Sequence, residues 1–193
     1  MIKIDKNNIK TWEELIIINQ RFIKGEITNW FLAGKIQAET KIISDVLCAI
    51  NEKGLYTTNS QPYKNTKHIQ QIEYIQGLIP KESLNVSQLI AFCEENDLRY
   101  EVIGKNTYYS NIDYHDEDPK YDTYISVSKK KNDTTACHQN PKYSCFFRTQ
   151  MEAHPFLNPD DYSAIFLCGK HFGRNSNMFE KILYFFNKIN SIH

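Results

Sequence analysis

The run Tyr162-Ser163-Ala164-Ile165-Phe166-Leu167-Cys168 limits how this chain can fold more than any other stretch. A short, almost unrelieved apolar run of this kind makes a strand in the middle of a sheet, because only a central strand is covered on both faces. Such a strand needs partners, and the sequence offers them at irregular intervals. Leu55-Tyr56-Thr57-Thr58 is β-prone and ends in Asn59-Ser60-Gln61-Pro62, residues that make turns. His68 to Ile79 reads as a strand, as do Leu98 to Ile103, Tyr121 to Ser128 and Cys145 to Thr149.

Helical spacing alternates with these runs. Thr11 and Glu14 form a capping-box signature, and Trp12, Leu15, Ile16, Asn19, Phe22 and Ile23 recur at helical intervals up to Gly25. A second helical pattern starts near Glu39 and closes at Gly54, where a C-terminal glycine cap belongs. Ser83 or Asn85 caps a third, with Val86, Leu89, Ile90 and Cys93 on its apolar side, and Met178 to Ile189 gives a terminal helix. Asn106 to Lys120 reads as a long loop in which only Thr107-Tyr108-Tyr109 can add an edge strand. Helices and strands mixed without a repeat predict an α+β fold. The expectation is one domain over residues 1–193, with a mixed or mainly antiparallel sheet packed by N-terminal and C-terminal helices.

Composition narrows the function classes. A chain of 193 residues, 41% hydrophobic and 13% aromatic, has the material for a packed core. At this size a domain buries about 70% of its unfolded surface, so neither disulfides nor a structural metal is required. The 23 basic residues balance 23 acidic ones, which argues against nucleic acid as a partner. Five scattered cysteines do not make a secreted disulfide framework, and no run approaches the ~20 apolar residues of a membrane span. The expected setting is the cytoplasm, without a membrane partner. The wealth of Ile, Asn, Lys and Tyr looks like an AT-rich genome, a large DNA virus or an AT-rich microbe.

Few residues announce chemistry. Cys137, His138, Cys145, Cys168 and His171 are the types a zinc site would use, but their spacing makes no four-ligand set, so no metal is expected. His115-Asp116-Glu117-Asp118 lacks the ligand spacing and turn glycine of a calcium loop. Lys129-Lys130-Lys131 suits a charged hairpin turn. No glycine-rich phosphate loop is present, and no cofactor is predicted. Cys168, at the end of the apolar strand, is the best thiol nucleophile, with an inert buried thiol as the more ordinary reading.

The block Gly54-Leu55-Tyr56-Thr57-Thr58-Asn59-Ser60-Gln61-Pro62 resembles that of a mostly bacterial family classed as a domain of unknown function. The surrounding order is similar too: a helix from Trp12 to Gly25, Glu39-Thr40 opening the next, Asn51 before the glycine, and Gln71 to Gly77 beyond. Tyr63 departs from the glycine expected after the proline, and the likeness ends about residue 80. It implies a shared fold and a shared loop, and no reaction.

Thr57, Thr58, Asn59, Ser60 and Gln61 are expected to border a ligand pocket, since adjacent polar side chains at a strand exit exceed what a turn needs. The leading expectation is therefore recognition of a small molecule or peptide. One alternative is a hydrolase or transferase with Ser60 or Cys168 as nucleophile and His171 as base. Another is an assembly protein using the aromatic C-terminal helix.

Overall fold

Thr11 opens the first helix as its capping box predicts: the Glu14 N–H donates to Thr11 Oγ1 at 3.1 Å, and the Thr11 N–H donates back to Glu14 Oε2 at 3.1 Å. The computed structural model describes residues 8–28, 36–112, 125–130, 136–139, 144–172 and 174–190. Helix α1 (Trp12–Ile23) buries Leu15, Asn19, Phe22 and Ile23 on one side. The pattern from Glu39 starts as a 3-10 turn, Thr40–Ile43, and becomes helix α2 (Ser44–Glu52). Gly54 stops it, with φ +97 and its N–H donated to the Asn51 carbonyl at 2.9 Å.

Beyond that glycine come β1 (Tyr56–Gln61), β2 (Lys64–Asn65), β3 (Ile69–Gln71) and β4 (Tyr74–Pro80). The stretch from His68 to Ile79 is thus two strands, broken at Ile72-Glu73. Helix α3 (Val86–Glu95) is capped by Asn85, whose side chain accepts the Gln88 N–H, and β5 (Leu98–Gly104) and β6 (Thr107–Ser110) follow. The edge strand allowed at Thr107 to Tyr109 is β6. Next are β7 (Ile125–Lys130), β8 (Ala136–Gln139), α4 (Ser144–Ala153), β9 (Tyr162–Gly169) and α5 (Met178–Asn190).

Two expectations fail in the middle of the chain. Cys145 to Thr149, expected as a strand, lies in α4. A short apolar run cannot distinguish helix from strand, and the helix buries Met151 in a cluster that also holds Leu15, Tyr56 and Leu157. Strand β7 pairs with β8, a segment in which the sequence suggested no strand. The acidic loop at His115 to Pro119 lies outside the described residues, and so does Lys131 of the basic turn.

The strands form two antiparallel sheets, one ordered β1-β4-β9-β5-β6 and the other β2-β3-β7-β8. The apolar run is the centre of the larger sheet, as its composition predicts: β9 pairs with β4 from Tyr74↔Cys168 to Pro80↔Tyr162, and with β5 from Leu98↔Gly169 to Ile103↔Ala164. Residues paired across strands share a face. Ile75, Ile79, Tyr100, Val102, Ile165 and Leu167 share one cluster with Leu47 of α2, Leu89 of α3 and Ile182 and Phe186 of α5. On the other face Tyr56, Leu78 and Ala164 meet α1 and α4 through Leu15 and Met151, while Tyr74, Phe166 and Cys168 gather with Ile72 and Ile112. Helices from both ends of the chain therefore flank an antiparallel sheet, which is the α+β arrangement expected.

Gly77 lets β1 close onto β4. A Cβ there would collide with the Tyr56 carbonyl oxygen and sit 3.0 Å from Leu55 Cδ1. Among the described residues no helix is long and apolar enough to cross a membrane.

Candidate functional site

Thr57 to Gln61 do not leave the sheet as a loop; they are most of β1, an edge strand. Strand-forming Tyr and Thr start the element, and pairing with β4 carries it through Asn59, Ser60 and Gln61 despite their turn propensity. The register shifts between Thr57 and Asn59, so Thr58 sits in a bulge. Bulges re-aim side chains and are frequent beside binding sites.

Four of the five polar side chains serve the fold. Thr57 is buried in a network with α1 and α2: Asn51 Nδ2 donates to Thr57 Oγ1 at 2.8 Å, and Asn19 Nδ2 donates to the Thr57 carbonyl at 2.8 Å and to Asn51 Oδ1 at 2.9 Å. Thr58 Oγ1 donates to the Gln76 carbonyl at 3.2 Å, and Gln61 Nε2 to the Ile72 carbonyl at 2.9 Å. Asn59 Oδ1 accepts the Tyr74 hydroxyl at 3.1 Å. Ser60 is half-buried and has no hydrogen-bond partner among the described residues.

Three residues that sequence patterns missed lie around this stretch. Glu39 Oε2 is 4.0 Å from Lys64 Nζ. Burial pushes the Tyr74 hydroxyl up to about 12, helped by the negative charge of Glu39 and opposed by the hydrogen bond to Asn59. Glu39 precedes a helix, Lys64 is in a two-residue strand and Tyr74 opens β4, so no local periodicity links them.

The three residues expected to act together are apart. Ser60 pairs with Ile75, which pairs with Leu167, so its side chain is on the face of the helical core. Cys168 alternates to the opposite face, and two strand spacings, about 10 Å, separate β1 from β9. Cys168 is fully buried, and burial pushes its thiol up to about 12. His171 stands beyond the end of β9, with Nε2 3.4 Å from Asp97 Oδ2. No hydrogen bond among the described residues joins Ser60 or Cys168 to His171. His154 is buried, with Nε2 3.4 Å from the Tyr56 hydroxyl.

His171 belongs to a different feature, a polar cleft of about 230 Å³ at the start of α5, lined by Asp97, Lys170, His171, Arg174, Ser176 and Lys181. Lys170 Nζ and Arg174 Nη1 also approach Asp97, at 3.1 and 3.7 Å. The Lys170 hydrogen bond, with the charges of its neighbours, holds the Asp97 carboxyl below its ordinary range. These are solvent-facing ion pairs around a residue in the left-handed region, φ +56. No group of three or more potential metal ligands occurs among the described residues. The side chains of Cys137, His138 and Cys145 lie outside them.

Residues 7–102 match the family model described as "Domain of unknown function (DUF6919)". That span runs from before α1 to within β5 and includes the whole of β1. A protein of Oryza sativa subsp. japonica described as "Probable methylenetetrahydrofolate reductase (NADH)" is 47% identical over 117 residues, covering 58% of this chain and 18% of its own length. The chain thus spans about a fifth of the length of the curated relative it matches.

Proposed function

We propose that this chain, which carries the DUF6919 family's domain at residues 7–102, is a recognition module that binds a small polar molecule along the outer half of β1. The observation that carries the reading is Ser60. On an edge strand, two residues after a bulge, its hydroxyl has no partner among the described residues, whereas each of its four polar neighbours has one. A half-buried hydroxyl with no partner among the described residues, next to the exposed Asn59, leaves a donor and an acceptor that a ligand can use. Glu39 and Lys64 add charges of both signs nearby.

The geometry gives less support to a hydrolase or transferase. A thiol held protonated by burial is a poor nucleophile, and the Ser60 side chain is on the face of the sheet opposite Cys168. The relationship to the rice protein supports a narrower choice of ligands. A chain that matches 18% of an enzyme corresponds to one part of it, and that part can hold a molecule the enzyme handles without performing the reaction.

Thermal-shift measurements against polar metabolites, with NADH and methylenetetrahydrofolate as the first probes, test the proposal. A ligand should raise the melting temperature of the wild-type chain and lose affinity on Ser60→Ala and Asn59→Ala. A ligand whose affinity both variants retain would overturn this location, and a panel without any stabilising ligand would overturn the recognition reading.

A further inference from the structure

Helices α3 and α5 flank a groove of about 530 Å³ on the outside of the helical layer. Its lining includes Ala91, Phe92 and Phe185, with the Phe92 and Phe185 ring centroids 4.8 Å apart. Glu180, Tyr184 and Lys188 form the α5 side. Four-residue steps put these three on one stripe of the helix, and all three are exposed, Tyr184 by 68%. An acidic residue in the first turn and a basic one in the last already suit the helix dipole. The dipole does not account for the tyrosine between them, which leaves a large ring in water beside an apolar groove.

The order Glu, Tyr, Lys is complementary to its own reverse. A two-fold axis at Tyr184 lays α5 antiparallel to α5 of a second copy, bringing Glu180 opposite the partner's Lys188 and Lys188 opposite the partner's Glu180. The two tyrosine rings then cover the apolar groove from both sides. We propose that this groove is a docking surface for a second copy of the same chain, in an isologous pair centred on Tyr184. Helix α5 has 13 residues and is about 20 Å long, so the contact is at the small end of specific interfaces and the pair exchanges with monomer.

Sedimentation equilibrium over a range of concentrations reads the proposal directly. The wild-type chain should shift from monomer to dimer as concentration rises, and Tyr184→Ala should weaken the pair at least about tenfold. Glu180→Lys or Lys188→Glu alone should weaken it to a similar degree, roughly tenfold or more, because the two-fold axis turns one substitution into two like-charge contacts. The double variant Glu180→Lys/Lys188→Glu should return to within about threefold of wild type, since reversing both charges recreates both pairs. All three substituted positions face solvent, so circular-dichroism melts should stay near wild type. A chain monomeric at every concentration, a pair indifferent to Tyr184→Ala, or a folded double variant that stays dissociated would each overturn the proposal.

Discussion

Asn51 and Thr57 hold each other at both ends: Asn51 Nδ2 donates to Thr57 Oγ1 at 2.8 Å, and Asn51 Oδ1 accepts the Thr57 N–H at 3.3 Å. The pair fastens the last turn of α2 to the first residues of β1, across the glycine that ends the helix. Asn19 from α1 completes the group, so three elements meet on polar atoms inside the core. A buried network of this kind stabilises only while every member is satisfied. Asn51→Ala should cost about 2–3 kcal/mol in urea denaturation by stranding groups on both partners. Asn19→Ala added to it should cost less than its separate effect, and strict additivity would show that the three residues do not act as a unit.

Ser60 and Gln61 should behave differently although they are adjacent and similarly polar. Gln61 Nε2 holds the Ile72 carbonyl, so Gln61→Ala should lose about 1 kcal/mol. Ser60→Ala removes a hydroxyl with no partner among the described residues and should change stability by no more than about 0.5 kcal/mol. Equal losses in a thermal melt would mean that Ser60 is as structural as its neighbour.

Gly77→Ala should be among the most damaging small substitutions in the larger sheet. The added methyl would meet the Tyr56 carbonyl oxygen, a backbone atom that cannot rotate away, and β1 would have to separate from β4. A loss of roughly 1–3 kcal/mol is expected, as for other overpacked sites. Hydrogen exchange should quicken first at residues 56–61 if the strain is released by that separation.

The buried thiols set an alkaline limit. Burial holds Cys93 and Cys168 up to about 12 against an ordinary 9.0, and Tyr74 up to about 12 against 10.0. Above the ordinary values the unfolded chain releases protons that the folded chain keeps, so stability must fall as pH rises from about 9 toward 12. Denaturation midpoints measured across that window should decline, and Cys168→Ala should make the decline shallower while lowering stability at neutral pH. In the native protein at pH 8, Cys93 and Cys168 should resist thiol reagents until denaturant is added; rapid labelling would contradict their burial.

What could be read from the chain without its structure was what local chemistry decides. Thr11 and Glu14, Asn85, Gly54 and the apolar run from Tyr162 are signals complete within a few residues, and each appears where the sequence puts it. Cys145 to Thr149 was misread because a short apolar run does not distinguish helix from strand, and its helix buries Met151 in a cluster with Leu15 and Tyr56, residues more than 90 positions away. Thr57 to Gln61 were recognisable as a distinctive polar stretch, but not as an edge strand, since the pairing that extends it comes from β4. Glu39, Lys64 and Tyr74 had no shared pattern at all; only the fold makes them neighbours of β1.

The place of β9 in the larger sheet has a consequence for synthesis. Strands β4 and β5 are separated by fewer than twenty residues in the chain, yet they do not touch as neighbours, because the slot between them belongs to residues 162–169. A ribosome that has made everything through β5 has therefore produced two strand edges facing a gap, and the matching strand begins only some sixty residues further along the message. During that interval the nascent chain carries open hydrogen-bonding edges and a half-built core, the condition in which intermediates recruit chaperones or associate wrongly. The boundary of the matched family segment, residue 102, falls inside this incomplete state. A fragment ending there should be unable to close its sheet, and its aggregation in a cell-free translation stalled at that point should vanish once the chain is extended past Gly169.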